Sequence, residues 1–471
     1  MSSSARHHEV ALQMLSWNPA APGSVLLRLL GCDDRQVRSN VAQRKDLPPE
    51  VVEAILSHPD RGVKKAFAES WNADPAQRAR LLDDPSATIS LILAMGPNPY
   101  RMPVEPLPDW AYERLLTHSR DTVRYETAAS ASVPAHVRAG MADHPEPFFR
   151  RMACRAWGQL GDSARESLLN DQDSEVRQAA ALCVCRDDEE RTAWLVEALA
   201  ESWQLQRLLA VGRLSRELAE RLMAEGDRLS SLAENPSLPA DLVARLAVSP
   251  DPRVRLVVSA RPELTEDERA AIDYTVGPED RLDPLAWVRE AREDMDVLRR
   301  CATSAHPWLR RSAATCPGLP QELVELLARD EDFAVRLLLC EVHPEPPPEL
   351  LLDLFLNGEH RAVMMLASKP GFPSEGLAAR FADSCDPRRR RLALRDPGLG
   401  AAALDRLSRD PETRGTAARD PRLAPSRIRE LLADTDMVGS VAGNPALPVK
   451  DMHELLDLAG VPVSGQVARS G

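Results

Sequence analysis

Asn235-Pro236-Ser237-Leu238-Pro239-Ala240-Asp241-Leu242-Val243-Ala244-Arg245-Leu246-Ala247, followed shortly by Asp251-Pro252-Arg253-Val254-Arg255, is the stretch that decides the fold. After Pro239 the apolar residues Leu242, Val243, Leu246 and Ala247 fall at offsets of three, four, seven and eight, which is one face of a helix. The proline suits the first helical turn, where its missing N–H has no intrahelical partner, and it pushes the residue before it out of the α region. Ser249-Pro250-Asp251-Pro252 then breaks the chain again, and a second short helix carries the pair Val254-Arg255.

The same order returns along the chain. Val51, Val52, Ile55 and Leu56 follow Pro48, and Leu350, Leu351, Leu354 and Phe355 follow Pro347. The Val-Arg pair recurs at Val37-Arg38, Val123-Arg124, Leu309-Arg310 and Val335-Arg336, with a period of about 26 residues. Self-similarity at such a period is the mark of a solenoid, in which no repeat buries its apolar face alone and stacking creates one continuous core. The expectation is an all-α chain without sheet, built from roughly sixteen two-helix repeats. The 39 prolines are mostly periodic punctuation, so their excess does not mean disorder.

These residues, with a further match at Asn444-Pro445-Ala446-Leu447-Pro448, resemble the leucine-rich repeat variant family, a relative of HEAT and armadillo repeats. The resemblance covers most of the chain and implies a right-handed α-solenoid of short α and 3₁₀ helices. It implies no activity. An iron–sulfur module can precede such repeats, but Cys32 is the only cysteine before Cys154, so none is expected here. No copy has the full Leu-x-x-Leu-x-Leu-x-x-Asn strand signature of true leucine-rich repeats.

Breaks in the period suggest the organisation. Residues 1–9 and 461–471 read as frayed, flexible ends, 10–187 as a first block and 229–460 as a second. Between the blocks, 188–228 lacks proline and reads as a connector of longer helices, Thr192 to Ser202 and Leu214 to Ala224, with Trp194 and Trp203 as core residues. Insertions stand at 96–103, with Tyr100 and Arg101, and at 272–296, with Asp280 and Trp287. Insertions in repeat arrays emerge on one face, often the binding face, so these four residues are candidate partner contacts. The acidic start of the second favours a basic partner.

Polar chemistry is read structurally first. Asp34/Arg38, Asp173/Arg177, Asp251/Arg255 and Asp332/Arg336 stand four apart, so each Asp can cap the second helix, pair with the Arg a turn later, or meet an Arg of the neighbouring repeat. The rival reading is an arginine stripe for phosphate or carboxylate. His58, His144, His306 and His343 precede proline in the turn between helices and read as turn caps rather than metal ligands. The eight cysteines include no Cys-x-x-Cys and read as reduced and structural, with Cys316 the expected exposed thiol. A net charge of -13 argues against general affinity for nucleic acid or an anionic membrane. No apolar run reaches the roughly 18 residues of a membrane span, and the N-terminus lacks a signal-peptide core; a cytoplasmic location is expected. No catalytic or cofactor signature is present. The sequence therefore points to a non-catalytic protein-binding scaffold without cofactor or metal, the alternative being a HEAT-like nucleic-acid-binding protein or enzyme.

Overall fold

A computed structural model describes residues 3–97 and 105–462. Among the described residues there are 34 α-helices, two 3₁₀ helices and no strand. Insertion residues Tyr100 and Arg101 lie outside the described residues. Among the described residues, the 3₁₀ geometry that the resemblance implies is seen at Arg80–Asp83 and Cys154–Gln159.

The prolines of the Leu-Pro pairs stand one residue before the first turn, whereas Pro252, Pro307 and Pro387 occupy the first turn of the second helices. Pro48, Pro239 and Pro448 are N-caps with extended backbone, and the Pro48 and Pro239 carbonyls accept the opening N–H bonds of Pro49–Leu56 and Ala240–Ala247. The offset rule holds: Val51, Val52 and Ile55, like Leu242, Val243 and Leu246, are buried. In the second helix the Val of each Val-Arg pair sits in the core, with Val37, Val63, Val123, Val176, Val254 and Val335 at no more than 1% exposure. Helices of eight residues are too short to stand alone in water, so this burial, about 2 kcal/mol for a fully buried aliphatic side chain, holds them.

A second device joins several helix pairs to the one before. Asn235 Nδ2 donates to the carbonyls of Leu209 (2.6 Å) and Gly212 (2.8 Å), and Asn444 Nδ2 to those of Ala418 (2.8 Å) and Asp420 (2.9 Å). Where arginine takes the role, Arg261 reaches the Ala233 and Asn235 carbonyls and Arg44 those of Ser16 and Asn18. These guanidiniums are almost wholly buried and are balanced by Glu263 and Asp46 two residues on.

The chain falls into two compact units, Met1–Leu168 with Ser374–Gly471, and Leu169–Pro373. This division differs from the two blocks read from the period. Stretch 188–228 forms three helices, Glu189–Ala198, Gln204–Val211 and Arg216–Glu225, and its apolar residues share one cluster that runs from Ala181 to Val258. The extra helix arises because the chain turns at 199–203, where the Ser202 N–H donates to the Leu199 carbonyl.

In the first unit the N-terminal helix Ser3–Ser16 packs on Val438–Ala442. The expected frayed start is therefore helical from Ser3. Asn18 Nδ2 donates to the carbonyls of Ala442 and Asn444, each at 2.8 Å, in the same way that Asn444 holds Ala418 and Asp420. Buried Arg28 adds Asp457 Oδ1 and the Val461 carbonyl, both at 2.6 Å. At Gly439 a Cβ would stand 2.6 Å from Val10 Cγ1, so only glycine admits this contact without a shift. The first helix is thus held on Val438–Ala442 by the same kind of side-chain contact that Asn444 makes one helix pair earlier. Asn18→Ala leaves two buried carbonyls without a donor and should destabilise the first unit by about 2–3 kcal/mol, read as a lower urea midpoint.

Candidate functional site

The charge ladder is built into the stack. Each Asp caps its helix: Asp34 accepts from the Gln36 and Val37 amides, Asp173 from Glu175 and Val176, Asp251 from Arg253 and Asp332 from Ala334. The expected pairing with the Arg four residues on does not form. Arg38, Arg177, Arg255 and Arg336 instead donate Nη1 to a carbonyl six residues back, at Cys32, Asp171, Ser249 and Asp330. The other nitrogens reach forward, Arg38 to Asp60 (2.6 Å) and Arg255 to Asp273 (3.0 Å). Arg310–Asp330 (2.7 Å) and Arg390–Asp410 (2.8 Å) repeat the forward pair. The reason is geometric: the capping carboxylate is already turned toward the helix N–H groups, whereas the Arg lies over the turn. The Gly62 amide and then the Arg38 guanidinium hold the Asp60 carboxyl below its ordinary range.

The histidines do cap turns. The amide two residues on donates to Nδ1 of His58 (3.0 Å), His144 (3.1 Å), His306 (3.2 Å) and His343 (3.2 Å), a role taken elsewhere by Ser249 and Asp330. His306 has the look of a catalytic pair, with Nε2 2.9 Å from Ser259 Oγ. Its chemistry runs the other way. Because Nδ1 accepts from Trp308, the ring proton sits on Nε2 and is donated to Ser259, whose own O–H donates to the Leu256 carbonyl (2.7 Å). Burial first, then Arg269 and Arg310, push His306 down to about 4, and both side chains lie out of solvent. Tyr274, from the irregular segment, stacks on the ring at 4.3 Å.

The segment 272–296 is tied inward. Buried Arg311 donates to the Asp280 and Gly277 carbonyls, and the Asp280 carboxylate accepts from the Gly277 amide (2.7 Å). Trp287 is half-buried and spends its N–H on the Ala260 carbonyl (3.1 Å). Asp280 remains exposed, but Trp287 serves the stack first. Cys316, expected outside, is 2% exposed, because its position closes the helix Pro307–Ala314 over the core; the exposed thiols are Cys183 and Cys385.

Two features face outward. A cavity of about 270 Å³ in the first unit has Leu47, Val52, Phe67 and Ala73 among its lining, with Lys45 and the Arg80–Glu53 pair (2.7 Å) beside them. It has the volume of a partner side chain and no convergent catalytic set. The second feature is the tryptophans. Trp17, Trp71, Trp110, Trp194 and Trp203 are 45, 38, 48, 42 and 78% exposed. For Trp194 and Trp203 this overturns the expectation of a core role: Trp194 stands on the outer side of Glu189–Ala198, opposite its buried Thr192, Leu195 and Val196, and Trp203 ends the turn before Gln204–Val211. Exposed aromatics of this kind give little sequence signal, since an indole fits either environment.

No family model matches the chain. No curated protein matches it either. Among solved structures, the crystal structure of an engineered protein is similar to it, 15% identical over 98% of this chain and 99% of that one, with a TM-score of 0.15. That score carries no argument about fold or function.

Two outcomes are expected. Arg310→Ala, which removes a largely buried pair and two turn hydrogen bonds, should cost about 3 kcal/mol, while Arg216→Ala, in an exposed pair with Asp241, should leave the urea midpoint unchanged. His306 is depressed in the fold, so between its ordinary value near 6.5 and about 4 the unfolded chain binds a proton that the folded chain refuses. Stability should fall as pH drops through that window, by on the order of 3 kcal/mol at its lower end. His306→Asn should lose that slope in urea titrations from pH 7 to pH 4.

Proposed function

We propose that this protein is a non-catalytic, protein-binding scaffold, an α-solenoid of about sixteen two-helix repeats similar to the leucine-rich repeat variant family. The observation that carries the reading is that five of its eight tryptophans are exposed while its buried polar groups are spent on neighbouring backbone. Tryptophan is the residue most enriched at the energetic centres of protein interfaces, and exposing one has no benefit for the free fold. Exposed Asp280 is a further candidate contact in the second unit. The reading carries no cofactor or metal, and it keeps the cytoplasmic expectation. No helix of the described residues is long and apolar enough to cross a membrane.

The nucleic-acid alternative gains nothing from the ladder, whose arginines point into turns and neighbouring carboxylates. The test is affinity capture of the tagged full chain from its own lysate, with and without nuclease, beside variants carrying Trp17→Ala, Trp71→Ala and Trp110→Ala, or Trp194→Ala and Trp203→Ala. A discrete protein that resists nuclease and is lost from one variant set is expected. Recovery only through nucleic acid would overturn the proposal.

A further inference from the structure

In the second unit, residues 186–203 concentrate charge of one sign around two indoles. This stretch holds six carboxylates, Asp187, Asp188, Glu189, Glu190, Glu197 and Glu201, against Arg186 and Arg191. Three of the six pair with cations: Asp188 with Arg191 (3.0 Å), Glu189 with Arg213 (3.1 Å) and Glu197 with Arg221 (2.6 Å). Arg186 is taken by Glu290 (2.7 Å). Among the described residues no cation pairs with Asp187, Glu190 or Glu201, all of them exposed.

The two indoles belong to the same stretch of sequence as these carboxylates. Thr192, Leu195 and Val196 bury one face of Glu189–Ala198, which turns Trp194 outward with Glu190 four residues before it and Glu197 three after, on one helical stripe. Glu201 lies in the turn that follows, and Trp203 ends that turn at 78% exposure, as the N-cap of Gln204–Val211. Arg207, one turn further, is the only cation on that helix. Trp203 is largely outside the fold, Trp194 is 42% exposed, and three carboxylates have no cation partner among the described residues.

Resting on the scaffold reading above, we infer that this face docks a cationic, partly apolar segment of a partner protein. Arginine or lysine of the partner meets Glu190 and Glu201 and lies over the indole faces, whose quadrupole attracts a cation, while apolar side chains cover the ring edges. The excess of carboxylate excludes phosphate-bearing partners here, since a nucleic acid or an anionic membrane would be repelled.

The probe is a short fluorescein-labelled peptide of arginine, leucine and alanine, titrated against the full-length protein and followed by anisotropy. Its counterpart has glutamate for each arginine. The arginine peptide should bind, and raised salt should weaken it. Trp203→Ala, and separately Glu190→Gln with Glu201→Gln, should raise Kd about tenfold, the scale of a hot-spot truncation. Glu279→Gln with Glu345→Gln removes the same charge from exposed sites elsewhere in this unit and should leave Kd unchanged. Because Trp203 is largely outside the fold, its variant should keep the wild-type unfolding midpoint. Equal loss in the control pair, unchanged affinity in Trp203→Ala, or equal binding of the glutamate peptide would each overturn the inference. Retention of the lysate partner by Trp203→Ala would also sink it while leaving the scaffold reading intact.

Discussion

A stack of helices only eight residues long creates a problem of unsatisfied backbone, and its solution organises this protein. Each helix end leaves carbonyls without an N–H partner, and at a boundary inside a packed stack water cannot reach them. The side chain at the end of the second helix answers this by reaching back one repeat and holding two carbonyls at once. Asparagine does so at Asn235 and Asn444, arginine at Arg44 and Arg261. Apolar burial supplies the gross stabilisation, but it is non-directional. The polar clamp fixes how one helix pair sits on the last.

The same device explains the meeting of the two chain ends within the first unit. The clamp runs from Asn444 on Ala418 and Asp420, to Asn18 on Ala442 and Asn444, to Arg44 on Ser16 and Asn18. Ser3–Ser16 covers Val438–Ala442. Arg28 and Gly439 are then residues of a contact between sequence-distant segments, which explains a buried cation on an otherwise apolar helix and a glycine inside one.

Much of this was legible in the chain, and the failures follow a pattern. Local rules succeeded: the helix faces after Pro48 and Pro239, the buried Val of the Val-Arg pair, the Asp caps and the His caps all depend on residues within one repeat. What failed depended on the neighbour. Arg38 and Arg255 pass over the Asp four residues away for the turn behind and the repeat ahead, a choice made by three-dimensional stacking. Trp194 and Trp203 were expected in the core because an indole is more often buried, but one stands on the outer side of its helix and the other in the turn at 199–203. Asn18 gave no signal of its partners, more than four hundred residues away. The partner-facing surface was the least legible, since exposure is decided by what the fold leaves uncovered.

Packing of Ser3–Ser16 on Val438–Ala442, with Gly439 against Val10, joins sequence-distant segments of the first unit. The most direct measurement is amide hydrogen exchange of the full-length chain beside Gly439→Leu, whose side chain would occupy the space of Val10. If the account is right, protection falls together in Ser3–Ser16 and in Val438–Ala442, while helices of the second unit such as Ala240–Ala247 exchange as before. Unchanged protection of Ser3–Ser16 in that variant would contradict it.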